Sequence, residues 1–145
     1  MRLKVGYPKE DQEVEILEAQ TLAHPLEHLQ PVTNTREVLK AQEEVRHIYV
    51  SPDLLRYIVK LVTQTRRSPY CVLGASPRAS LSVRRAAQAL AYLDGMDHVT
   101  SQHIKTVFEP VVGHRLSLKP EARLSGIGSG KVVEEVLRQV EVPYE

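Results

Sequence analysis

The 145-residue sequence has no acidic residue between Asp53 and Asp94, although acidic and basic residues nearly balance over the whole chain. Inside that window stand Arg56, Lys60, Arg66, Arg67, Arg78, Arg84 and Arg85, so a net charge of +1 conceals a basic middle within an otherwise acidic chain. Such asymmetry points to an anionic partner: phosphate, nucleic acid or an acidic protein surface. Cysteine is nearly absent too. Cys71 stands alone, which excludes an internal disulfide and fits a reducing cytoplasm. No histidine stands near it in sequence, so a half-buried loop thiol is expected rather than a nucleophile. The chain lacks an apolar run long enough to cross a membrane, and Met1-Arg2-Leu3-Lys4-Val5 lacks the apolar core of a signal peptide. There is no repeat and no low-complexity tract. What remains is an ordinary globular composition, 42% hydrophobic and 26% charged, in a chain long enough for one real core.

The pattern is mostly helical. After an extended opening from Leu3 to Tyr7, Pro8 begins an acidic first turn and a helix to about Gln20, with a narrow apolar face at Val14 and Leu17. A loop with Pro25 and Pro31 follows. Thr35 is expected to cap a second helix carrying Val38, Leu39, Gln42 and Val45, and His47 to Val50 reads as briefly extended. Ser51-Pro52-Asp53 starts a third helix with the stripe Leu54, Leu55, Ile58, Val59 and Val62. A fourth helix from Pro77 to about Asp94 turns Ala79, Val83, Ala86, Ala87, Leu90 and Leu93 inward, and Gly95 ends it. Thr100 caps a fifth, with Ile104, Val107, Phe108 and Val111, broken or kinked at Pro110. A last helix carries Val132, Val133, Val136, Leu137 and Val140. The expected fold is all-α, a bundle of about six helices with at most a small strand pair.

The segment Leu73-Gly74-Ala75-Ser76-Pro77-Arg78-Ala79-Ser80 is the most informative. Ser before Pro starts a helix, because the serine can cap a free N–H and proline at the first helical position has no N–H to satisfy. Ser51-Pro52-Asp53 uses the same device, so the device alone is not functional. The difference is the next residue. Asp suits the positive end of a helix; Arg does not, so Arg78 needs a reason. A guanidinium added to free N–H groups suits an anion, phosphate above all; otherwise the side chain simply faces water. Arg85 lies seven residues on, near the same face two turns away.

Other constellations are weaker. Gly126-Ile127-Gly128-Ser129-Gly130-Lys131 fails as a phosphate-cradling loop, because Ser125 replaces the first glycine and Val132 follows the lysine where Ser or Thr should hold magnesium. His24 and His28 have metal-ligand spacing, but Pro25 opposes a helix between them. His47, His98, His103 and His114 form no ligand pattern, so no metal site is expected. Glu43-Glu44 and Glu134-Glu135 read as solvated faces. A nucleic-acid-binding helix would need more basic residues than Arg78, Arg84 and Arg85 on the fourth helix, whose alanine-rich face is expected to be buried.

Leu3-Lys4-Val5-Gly6-Tyr7-Pro8, His24-Pro25-Leu26, Val50-Ser51-Pro52, Leu73 to Ser80 and His114-Arg115-Leu116 occur in an order that resembles the C-terminal lid domain of MoxR-family AAA+ ATPases, relatives of magnesium chelatase subunits. The resemblance covers essentially the whole chain. It implies that residues 1–8 link to an ATPase core outside this chain and that 9–145 form the helical lid. It also implies that Arg78 is the sensor 2 residue reaching the terminal phosphate of ATP, with Ser76 and Pro77 beside it. Tyr7 and Pro8 would lie near the nucleotide base. ATP and magnesium would be bound in the full-length protein and neither held by this chain alone, which lacks the phosphate loop and acidic strand end that hydrolysis needs. Implied partners are the core domain, neighbouring subunits of a ring (a hexamer) and a client protein with a von Willebrand factor A domain, in the cytoplasm and without a membrane. The alternative is a free-standing helical module that binds nucleic acid or protein.

Overall fold

The computed structural model describes residues 1–20 and 24–143. Its elements are α1 (Glu10–Ala19), α2 (Thr35–His47), α3 (Pro52–Arg67), β1 (Cys71–Leu73), α4 (Pro77–Leu93), α5 (Ser101–Val112), β2 (Ser117–Leu118), α6 (Pro120–Leu124) and α7 (Ser129–Gln139), with 3-10 turns at Pro25–His28 and Gly113–Arg115. The expected all-α bundle is what forms, and among the described residues its one small sheet is the antiparallel pair β1 and β2, with Cys71 opposite Leu118. The chain divides into two compact units, Leu3–Lys40 and Met1–Arg2 with Ala41–Glu145. The expected lid span 9–145 ends on Tyr144 and Glu145, which lie outside the described residues.

The larger unit holds the core. α4 packs along α5 and α3, and α7 packs on α3 and α5. Leu54, Tyr57, Ile58, Leu61 and Val62 of α3 meet Ala79, Val83, Ala87 and Ala91 of α4, with Ile104, Val107, Phe108 and Val111 of α5 and Val133 and Val136 of α7 in the same cluster. The alanines keep α4 thin where α3 and α5 approach it. The α3 stripe lies further round than its spacing suggests: Leu55 and Val59 are exposed, while Tyr57, Leu61 and Thr65 are buried. On α4, Leu93 is likewise exposed. α5 is not broken at Pro110 but continues to Val112, and the Pro110 carbonyl, near the helix end, accepts from Arg2 N–H at 2.7 Å. Gly95 ends α4 with φ +72°, placing its N–H on the Tyr92 carbonyl and Met96 N–H on that of Ala91.

In the smaller unit α1 begins at Glu10 rather than Pro8, with Glu10, Asp11 and Glu13 in its first turn. Neither α1 nor α2 has a buried residue, so Val14, Leu17, Val38 and Leu39 stay exposed. Asn34, not Thr35, caps α2, its Oδ1 accepting from Glu37 N–H at 3.1 Å. No helix among the described residues is long and apolar enough to cross a membrane.

Candidate functional site

The junction between β1 and α4 is built on the last turn of α3. Gly74 crosses α3 so closely that a Cβ there would lie 2.5 Å from both Arg66 Cα and Arg66 N and 2.7 Å from the Thr65 carbonyl carbon. Those are backbone atoms and cannot step aside, so the crossing requires glycine. Ala75 follows, fully buried, and α3 side chains take both of its backbone polar groups. Its N–H donates to Thr65 Oγ1 at 2.9 Å, and its carbonyl accepts from Arg66 Nε at 2.8 Å. The Thr65 hydroxyl spends its own proton on the Val62 carbonyl at 2.6 Å, which leaves its lone pairs for Ala75.

From this base the chain enters α4. Ser76 occupies the cap position with extended backbone, and Pro77 is the first helical residue. The expected side-chain cap is absent, because the Ser76 carbonyl takes Ala79 N–H at 2.8 Å, using the donor its hydroxyl would otherwise reach. Ser76, Pro77 and Arg78 are exposed, whereas Ala75 and Ala79 on either side are fully buried. The first turn of α4 contains no acidic residue. Among the described residues, the Ser76 hydroxyl and the Arg78, Arg84 and Arg85 guanidinium groups have no hydrogen-bond or ion-pair partner. The result is a rigid backbone seat presenting a free hydroxyl, a helix N-terminus and a free guanidinium. Together they can hold a multiply charged anion.

Tyr7 and Pro8 lie in the smaller unit; both are exposed, and Pro8 lines a shallow groove with Gln12, Ile16 and Ala19. Ser76, Pro77 and Arg78 are thus consecutive residues of the larger unit, and Tyr7 and Pro8 belong to the smaller one. Thr65 and Arg66 are the contributors that sequence reasoning missed, and Gly74, part of the informative segment, gains its role from the crossing of α3. Their one signal was a threonine continuing the apolar stripe of α3.

Elsewhere, the remaining motifs serve the fold. Gly126 and Gly128 belong to the turn between α6 and α7, and the Glu109 carboxylate lies against the first turn of α7, with Oε1 3.1 Å from where a Gly130 Cβ would sit. Thr100 caps α5 as expected: its Oγ1 accepts from His103 N–H at 3.5 Å, its own N–H donates to His103 Nδ1 at 3.0 Å, and buried His103 turns Nε2 to Asp94 at 3.2 Å. His24 Nδ1 accepts from Leu26 N–H at 3.2 Å in a 3-10 turn, and His98 Nδ1 sits 2.7 Å from Asp97, holding that carboxyl below its ordinary pKa. Among the described residues no group of three or more His, Cys, Asp or Glu could hold a metal ion. Cys71 is buried in β1 rather than half-buried in a loop, and burial pushes its thiol pKa up.

The AAA lid domain family matches residues 63–136, which takes in the α3 end, the seat, α4 to α6 and most of α7. The chain is 35% identical to the Bacillus subtilis protein YeaC, whose function is uncharacterised, over 99% of this chain and 45% of that protein. It is 32% identical to the chaperone MoxR1 of Mycobacterium tuberculosis, over 98% of this chain and 40% of that protein. A crystal structure of a candidate ATPase from Cytophaga hutchinsonii superposes with a TM-score of 0.89 at 27% identity, covering 99% of this chain and 46% of that one. The chain therefore spans under half the length of these relatives.

Proposed function

Because the chain belongs to the AAA lid domain family, in its MoxR branch, we propose that it is the lid of a longer ATPase and that Arg78 is its sensor 2 residue. The lid closes over ATP held by a core domain, and Arg78 donates to the terminal phosphate while Ser76 and the first turn of α4 face the same anion. Tyr7 and Pro8 lead in from the core beside the nucleotide. Magnesium and the groups that orient water belong to that core.

The observation that carries this reading is the open start of α4: its backbone is anchored on both sides, yet the Ser76 hydroxyl and the Arg78 guanidinium have no partner among the described residues. A guanidinium donates most strongly to the charge of an intact terminal phosphate, so loss of that phosphate loosens the lid. A rocking lid has two states that nucleotide biases through this difference in contact. In a ring, a hexamer in this reading, the motion passes between subunits and remodels a client protein, one with a von Willebrand factor A domain.

The test is Arg78→Ala in the full-length protein. Removing one aimed donor from a phosphoryl-transfer site is expected to lower ATP turnover by about tenfold or more, with the helical content of the lid unchanged. Unchanged turnover overturns the assignment.

A further inference from the structure

The Arg78 side chain is exposed, and its guanidinium has no partner among the described residues, so what the fold sets is the backbone from which it departs. That backbone has one anchor in the loop and one in the helix. The helix anchor is Ala79, packed into the core. The loop anchor is Ala75, whose N–H and carbonyl are both held by α3 side chains, at 2.9 Å by Thr65 and 2.8 Å by Arg66. Two residues separate Ala75 from Arg78, and one of them, Pro77, has a fixed φ. Rotation of the Ala75 peptide therefore passes almost directly into the start of α4.

Two features mark this seat as more than packing. Thr65 is wholly buried, and its hydroxyl makes two hydrogen bonds in opposite senses, so valine could fill the same volume but not hold the loop. Arg66 is exposed; its Nε is committed to the Ala75 carbonyl, and it has no carboxylate partner among the described residues. An exposed arginine that spends its donor on one loop carbonyl orients that loop and does little for the core.

We propose that Thr65 and Arg66, over the close crossing at Gly74, are positioning residues that aim Arg78 at the terminal phosphate. The proposal rests on the sensor reading of Arg78 and adds that the aim is set from α3. It makes α3 the element through which movement of the larger unit reaches the nucleotide.

Two measurements test it. In the 145-residue chain, Thr65→Val is expected to speed amide hydrogen exchange at Ala75 by about tenfold or more, because a buried N–H loses its acceptor, while amides of α5 keep their protection. Thr65→Ser restores protection. Unchanged exchange at Ala75, or an equal loss throughout the core, overturns the seat. In the full-length protein, Thr65→Val and the exposed-site variant Arg66→Met are each expected to lower kcat for ATP severalfold with KM nearly unchanged. Neither should lower kcat further in an Arg78→Ala background, since they act through Arg78. If Arg78→Ala slows turnover and both α3 variants leave it unchanged, the positioning role is wrong and the sensor reading stands. If Arg78→Ala itself has no effect, the sensor reading falls, and the positioning role with it.

Discussion

The chain contains two Ser-Pro helix starts, and they are finished differently. At α3, the Ser51 carbonyl takes Leu55 N–H at 3.0 Å, which leaves Leu54 N–H for the Ser51 hydroxyl at 3.2 Å. Asp53 adds negative charge to the first turn and faces Arg56 at 3.6 Å. At α4, the Ser76 carbonyl takes the nearer donor, Ala79 N–H, the hydroxyl is left over, and Arg78 stands where Asp53 stands in α3. One start is closed by its own residues; the other is open and carries charge of the wrong sign for a helix N-terminus. A helix start that forgoes local stabilisation while its backbone is firmly anchored is the arrangement the proposed contact of Arg78 with a ligand requires.

The comparison can be broken or sharpened by substitution. The largest effect on the fold is expected at the crossing that only the α4 start possesses. Gly74→Ala drives a methyl into α3 backbone and should cost roughly 1–3 kcal/mol, as overpacking does, read from chemical denaturation. Cys71 reports the same event, because its buried thiol, with pKa pushed up by burial, resists alkylation at neutral pH in the native chain. Gly74→Ala should speed that labelling, and Ser51→Ala should not. A smaller effect separates the two serines. Ser51→Ala is expected to cost about 1 kcal/mol through loss of a cap, whereas Ser76→Ala, which removes no capping bond, should stay within about 0.5 kcal/mol of the parent, the usual range for a surface change. Equal costs at both positions would show that the two starts are alike after all.

Much of the larger unit was legible in the sequence, because each helix has a partner and its apolar spacing is therefore informative. Ile104, Val107, Phe108 and Val111 are buried as their spacing predicts, and so are Ala79, Val83 and Ala87. On α3 the centre of the stripe held at Leu54, Ile58 and Val62, but the buried arc extends toward Tyr57, Leu61 and Thr65. Both arcs carry large side chains compatible with a core, so only the direction of the neighbours distinguishes them. α1 and α2 show the limit more sharply: Val14, Leu17, Val38 and Leu39 have helical spacing and remain exposed, since spacing records a face without naming what covers it. Ser76-Pro77-Arg78 was visible because its residues are consecutive. The seat was not, because Thr65 and Arg66 act on backbone groups of Ala75 nine and ten residues away, and a backbone group has no letter in the sequence.

Arg78→Asp separates the open start from an ordinary surface helix most directly. Aspartate belongs at that end of a helix, so the change is expected to stabilise the 145-residue chain by about 0.3–1 kcal/mol, while ATP turnover by the full-length protein falls by about tenfold or more as donor gives way to repelling charge. Gain in one and loss in the other is the signature of a residue kept for a ligand at the expense of its helix. A destabilised chain, or turnover that survives the reversed charge, would contradict it.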